Sequence, residues 1–175
     1  MSSRPLGRWL FGKLPILGDF VARGLDYGLR DSLDAWLSDE MEAGRAQFGE
    51  EFEARYDCAP AWCFVDRDPQ GLWCGGALCA SVDAAGRRFP VMLAQPAEDA
   101  SDAAVQAGGC LEAIYAAFAE GWDADRLHSS AVATVELPWQ PVEPSWALID
   151  EQGPVRTYPG RFPAGVIATM MELAA

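Results

Sequence analysis

Ala80-Ser81-Val82-Asp83-Ala84-Ala85-Gly86-Arg87-Arg88-Phe89-Pro90-Val91-Met92-Leu93 lies near the middle of the chain, and its reading decides the architecture. Ahead of it runs Leu72-Trp73-Cys74-Gly75-Gly76-Ala77-Leu78-Cys79, apolar and uncharged, and Phe89 to Leu93 is apolar again. Two such runs joined by a short segment of Asp, Gly and Arg predict a β-hairpin whose strands are central in a sheet and buried on both faces. Gly86 supplies a positive φ, Asp83 accepts from the backbone amides of its own turn, and Arg87 is close enough to pair with Asp83. Two readings fit these residues. One is a well-made turn; the other is that Ser81, Asp83 and Arg87 form a polar patch used for binding.

Ser81 through Pro90 reads Ser-x-Asp-x-x-Gly-Arg-x-Phe-Pro, and Gly12 through Phe20 reads Gly-Lys-x-Pro-x-x-Gly-Asp-Phe. In this order they resemble the two signature blocks of the TagF family of type VI secretion-associated proteins. Asp34-Ala35-Trp36-Leu37, Pro60-Ala61-Trp62-Cys63-Phe64, and Trp73 with Gly75 or Gly76 fall where that family carries Trp-centred segments. The match runs from residue 12 to about 94, with a looser echo at Ser145-Trp146. It departs at Ile16-Leu17, where small or polar residues are usual, at Cys63 in place of Arg, and at Ala80 in place of Pro.

The resemblance implies a single domain over residues 1–175, of longin or profilin-like type. It implies a cytoplasmic accessory protein that represses type VI secretion system assembly after translation, opposing or bypassing a threonine-phosphorylation switch. The implied partner is the system's forkhead-associated scaffold protein, and the residues expected to bind it are Lys13, Asp19, Ser81, Asp83 and Arg87. Two other classes use the same groups: a small-molecule or peptide-binding domain with Lys13, Asp19, Asp83 and Arg87 around a pocket, or an enzyme working with them.

Composition narrows the classes independently. A chain of 175 residues, half of them apolar, is long enough to bury a sizeable core in one domain. Its net charge of −13 repels phosphate backbones and anionic lipid surfaces, which argues against nucleic acid and favours basic partners. Seven Trp is high for this size, so some are expected at a surface that another protein covers. Arg4, Arg8, Lys13 and Asp19 interrupt any secretory apolar region, and no uncharged apolar run approaches the roughly 18 residues of a membrane span. A cytoplasmic protein with reduced thiols is expected. Cys58, Cys63, Cys74 and Cys79 repeat a Cys-x4-Cys spacing. Cys74 and Cys79 sit in one strand at odd separation, on opposite faces, so buried apolar roles suit them better than zinc. No metal or other cofactor is expected.

Along the chain, Gly7 to Leu14 reads as a strand and Ile16 to Gly28 as a loop. A helix is expected from Asp31 to Phe48 with Asp31 or Ser32 as N-cap, Gly49 as its stop, and Asp34, Asp39, Glu40 and Glu42 facing water. Trp62 to Val65 reads as a strand. Ser101 caps a helix to Glu120, in which Gly108-Gly109 marks a kink or close packing. Asp123 caps another helix, expected to continue through Leu127, Ala131, Val132 and Val135. His128 beside Ser129 and Ser130 reads as a surface or capping residue, since adjacency supplies no triad geometry and no Gly-x-Ser-x-Gly elbow exists. Pro138, Pro141 and Pro144 make an extended connector that exposes Trp139. Ser145–Ile149 and Val155–Tyr158 form a hairpin, and a last helix begins near Pro163. Sequential hairpins with interspersed helices give an α+β fold, a largely antiparallel sheet flanked by helices. No catalytic constellation emerges, and a non-enzymatic role is expected.

Overall fold

A computed structural model describes residues 7–174. The two apolar runs that flank Ser81–Pro90 form β4 (Trp73–Cys79) and β5 (Val91–Ala97), paired antiparallel with Cys79 opposite Val91 and Trp73 opposite Ala97. The other strands are β1 (Trp9–Gly12), β2 (Val21–Arg23), β3 (Trp62–Arg67), β6 (Ser145–Asp150) and β7 (Gly153–Pro159). They make one sheet in the order β2-β1-β5-β4-β3-β6-β7, antiparallel at every pairing. Among the described residues five α-helices cover it: α1 (Tyr27–Phe48), α2 (Phe52–Asp57), α3 (Ala100–Glu120), α4 (Ala124–Ser129) and α5 (Val166–Glu172). The fold is α+β, as the hairpin pattern predicts.

Side-chain alternation in β5 sends its residues into two cores. Met92 and Ala94 join Leu37 and Met41 of α1, Tyr56 of α2 and Ile167 of α5. Val91 and Leu93 point the other way, to Cys110 and Ile114 of α3 and Leu127 of α4. Strands covered on both faces lose the polar half of the usual alternation, which is why this stretch reads as continuous apolar sequence. Glycine makes room for α3 against the sheet: a Cβ on Gly75 would stand 1.7 Å from the Ala103 carbonyl oxygen. Gly108-Gly109 likewise marks close packing and not a kink. A Cβ on Gly109 would stand 1.8 Å from the Ala133 carbonyl oxygen, and α3 runs unbroken through the pair.

Several sequence expectations are corrected. α1 begins at Tyr27, because Asp26 and not Asp31 is its N-cap, accepting from Leu29 N at 2.7 Å. α3 is capped by Asp99, accepting from Asp102 N at 2.8 Å, two residues ahead of Ser101. β2 lies within the segment read as loop; three residues are too few for a periodic signal. α4 stops at Ser129, and residues 131–135 run without helix along the groove that the α3 glycines leave open. Trp139 is buried against Ala103, Ala104 and Ala107 instead of exposed by its prolines. None of the seven Trp is exposed: Trp9, Trp62, Trp139 and Trp146 are buried, and Trp36, Trp73 and Trp122 are half-buried. Their surplus fills the core, as in the Phe64–Trp146 stack with centroids 4.5 Å apart. Glu40, expected in water, is buried with an exposure of 8%. No described helix is long and apolar enough to cross a membrane.

Candidate functional site

The β4–β5 connection is a turn built on Asp83. Its Oδ1 accepts from the amides of Ala85 at 3.0 Å and Arg87 at 2.9 Å, while Oδ2 accepts from Lys13 Nζ at 2.9 Å and Arg87 Nε at 2.8 Å. Gly86 takes φ 84°, a left-handed conformation that a side chain would strain, and its amide donates to the Asp83 carbonyl at 3.0 Å. Burial by itself would raise the Asp83 pKa. The hydrogen bonds from Lys13 and Arg87 reverse that and hold the carboxyl well below the usual carboxylate range.

The two signature blocks meet here. Ser81 Oγ donates to the Lys13 carbonyl at 2.7 Å, and the Ser81 amide donates to the buried Tyr56 hydroxyl of α2 at 3.1 Å. Ala84 N donates to the Leu17 carbonyl at 2.8 Å, Lys13 N to the Pro90 carbonyl at 3.3 Å, and the Arg87 guanidinium to the Gly18 carbonyl. Gly12 is needed for this approach: a Cβ there would stand 2.1 Å from the Pro90 carbonyl oxygen. The chain therefore fastens the loop after β1 to the turn after β4 with main-chain bonds as well as charge.

Of the five residues singled out from sequence, the structure brings Lys13, Ser81, Asp83 and Arg87 into one hydrogen-bonded network. Lys13, Ser81 and Asp83 are buried, so their polar atoms face each other and not solvent. Arg87 keeps 58% of its side chain exposed while gripping Asp83. Asp19 is exposed beside Gly18, and its carboxylate makes no ion pair among the described residues. Lys13 and Asp83 thus pair with each other under cover.

Sequence reasoning missed what lies around this network. Ile16 and Phe20, both on the loop after β1, expose 52% and 45% of their surface. The Phe20 ring lies 4.8 Å from Lys13 Nζ and meets Phe89 edge-on at 4.8 Å, which holds it in place while leaving one side open. On the other side of the turn, an open cleft of about 390 Å³ gathers four cations, Lys13, Arg45, Arg87 and Arg88. Arg88 pairs with Asp57 at 2.7 Å and Glu53 at 3.2 Å, and its guanidinium lowers the Asp57 pKa. Arg45 stacks on Phe52, with 4.9 Å from its guanidinium carbon to the ring centre, and has no carboxylate partner among the described residues. Glu53 lines the same cleft; Asp83 covers Lys13 and Arg87, and Asp57 and Glu53 cover Arg88, which leaves Arg45 as the one cation of the cleft without a carboxylate partner among the described residues. The exposed Ile16 was visible only as a departure from the family pattern.

The remaining sequence candidates go elsewhere. The four cysteines of the doubled Cys-x4-Cys spacing diverge: Cys58 is exposed at the end of α2, Cys63 and Cys79 face α3, and Cys74 lies on the opposite sheet face. Burial pushes the Cys63 and Cys74 thiols up to about 12. His128 is half-buried, with Nε2 3.0 Å from the Arg8 carbonyl, and ties α4 to the start of β1.

Residues 9–134 match the family model described as TagF N-terminal domain, type VI secretion system-associated. None of the curated proteins matches the chain. Among solved structures, the crystal structure of PA0076 from Pseudomonas aeruginosa PAO1, at 2.05 Å resolution, is similar with a TM-score of 0.65. It is 19% identical, and the alignment covers 94% of each chain. At that identity the likeness is one of fold.

Proposed function

We propose, from the fact that this chain belongs to the TagF N-terminal domain family of type VI secretion system-associated proteins, that it represses assembly of that system after translation by binding one of its cytoplasmic components. The partner in this reading is the forkhead-associated scaffold protein. The protein acts by binding and not by catalysis. The observation that supports it is the exposed apolar pair Ile16 and Phe20, standing next to Arg87 on loops that the buried Lys13–Asp83 network fixes. Open apolar groups on rigid backbone bury area at low entropic cost, and a neighbouring charge orients the complex. Arg45 lines the adjoining cleft without a carboxylate partner among the described residues and Arg87 is largely exposed beside it, so an acidic group on the docked partner segment pairs there.

The test is co-purification of the chain with the scaffold protein, paired with a secretion assay in the host. Overproduction should stop secretion with component transcripts unchanged. Phe20→Ser and Arg87→Glu should each weaken scaffold binding about tenfold or more, equivalent to about 1.4 kcal/mol. Circular dichroism must show both variants folded, since Arg87 also holds its own turn. Folded variants that bind and repress like the wild type would remove this surface. A wild type that binds no secretion component and leaves secretion intact would remove the functional reading altogether.

A further inference from the structure

At the opposite end of β4 from Asp83, about 20 Å away along the strand, the sheet holds a second cavity. It encloses about 130 Å³, and its aromatic lining is Trp9, Phe64, Trp73, Trp146 and Phe162. Three charged groups share the wall: Asp66, Asp68 and Arg161. Asp66 lies on β3, buried, and its Oδ2 takes the Arg161 Nε at 2.7 Å. Asp68 turns Oδ1 to the Leu72 amide at 2.8 Å. None of this belongs to the network of the β4–β5 turn. The pocket also joins residues inside the family match to Trp146, Arg161 and Phe162, which lie beyond residues 9–134.

The chain itself illustrates what such a wall holds. Arg161 places its guanidinium on the Asp66 carboxylate and over the Phe162 ring, 4.9 Å from the ring centre. Phe162 sits at φ 52°, the one positive-φ residue other than glycine among the described residues, between Gly160 at φ 85° and Gly165 at φ 95°. A bulky side chain in that conformation persists only when its surroundings dictate it. Here the ring is held against Trp36, with centroids 5.2 Å apart. Arg161 is partly exposed, 36% of its side chain reaching solvent, so it covers Asp66 from the mouth and not from the interior.

We propose that this pocket binds a small organic cation, a guanidinium or methylated ammonium group, which takes the place of Arg161 on Asp66. Ring faces attract cations, most strongly those of Trp. The volume approaches that of the roughly 150 Å³ cavities that admit a single six-membered ring, so one such head group fills it. The lining carries two carboxylates against one guanidinium, and a net charge of −13 concentrates cations around the protein. An anion would meet the wrong sign on the wall. A free cation and the basic side chain of a peptide share this chemistry.

Binding is measured by NMR of the tryptophan indole N–H signals in the full chain, titrated with tetramethylammonium and methylguanidinium. The controls are 3,3-dimethylbutanol as the neutral isostere and benzoate as the anion. Saturable shifts with the cations, and affinity at least tenfold weaker for both controls, are expected. Asp66→Asn should weaken the cations about tenfold. Arg161→Ala, a substitution at the exposed mouth, should tighten them and keeps the test valid if the buried Asp66 variant does not fold. A short Arg-containing peptide that binds more tightly than methylguanidinium assigns the site to a side chain; equal or weaker binding assigns it to a free cation. Equal binding of the neutral isostere, or no saturable shift in either wild type or Arg161→Ala, overturns the proposal.

Discussion

Asp83 shows how one residue can be indispensable to a surface without touching anything outside the protein. Four donors converge on its two oxygens, and none of its side chain is exposed. Because these bonds lower its folded-state pKa, its contribution is fully present above the ordinary value of 3.8 and is lost as pH falls through the depressed folded value. Asp83→Asn keeps the shape but cannot neutralise Lys13. We expect a lower urea midpoint than wild type at pH 7, with the gap narrowing as pH drops below about 4. Urea titrations of both proteins from pH 7 to pH 3 check this; a gap independent of pH would mean the charge contributes nothing. Arg87→Gln should cost less stability than Asp83→Asn, because Lys13 still covers the carboxylate.

At the scale of elements, the joint that matters most is between α1 and α5. The Glu40 carboxylate accepts from the amides of Gly165 at 2.9 Å and Val166 at 2.6 Å, capping a helix more than a hundred residues later. Val166, Ile167, Met170 and Met171 of that helix are buried in the core beside Leu37 and Met41 of α1. An acidic residue facing water on an amphipathic helix and one capping a distant helix have the same sequence appearance. Glu40→Ala should destabilise the protein by about 2 kcal/mol, the cost of losing a cap and leaving buried amides unpaired. Glu42→Ala, on the exposed side, should fall within about 0.5 kcal/mol of wild type. Equal effects in denaturant melts would show that the α5 cap is not holding the joint.

For the whole molecule, the sheet separates two kinds of surface. The loops at the Cys79 end of β4 carry the exposed Ile16, Phe20 and Arg87, while the Trp73 end encloses the aromatic cavity. Helices on both sheet faces leave the cysteines almost entirely inside: Cys63, Cys79 and Cys110 are buried, Cys74 is half-buried and Cys58 alone is exposed. Thiolate is the reactive form, and burial raises these thiols far from it. Native protein should therefore release one equivalent of thionitrobenzoate quickly from Ellman's reagent, and five after denaturation. Rapid reaction of three or more thiols in native protein would show that the α3 layer does not seal the sheet.

What the sequence determined by itself was local or repeated. The uncharged runs on either side of Ser81–Pro90 specify two central strands, because strands covered on both faces have no polar positions to alternate. The Asp83–Gly86–Arg87 turn follows from side chains bonding to their own backbone, Asp123 marks a helix start for the same reason, and Gly49 ends α1 because glycine alone takes its φ of 52° without strain. The Gly12–Phe20 and Ser81–Pro90 blocks carried the family. Tertiary structure alone decided which charges are hidden. Lys13 and Asp83 are 70 positions apart, Glu40 and Val166 are 126 apart, and nothing local distinguishes these ions from solvated ones. It also decided that the tryptophans turn inward, that Lys13, Arg45, Arg87 and Arg88 share one cleft, and that Ile16 and Phe20 stay outside. Burial is a property of what packs on top of a residue, and that layer comes from elsewhere in the chain.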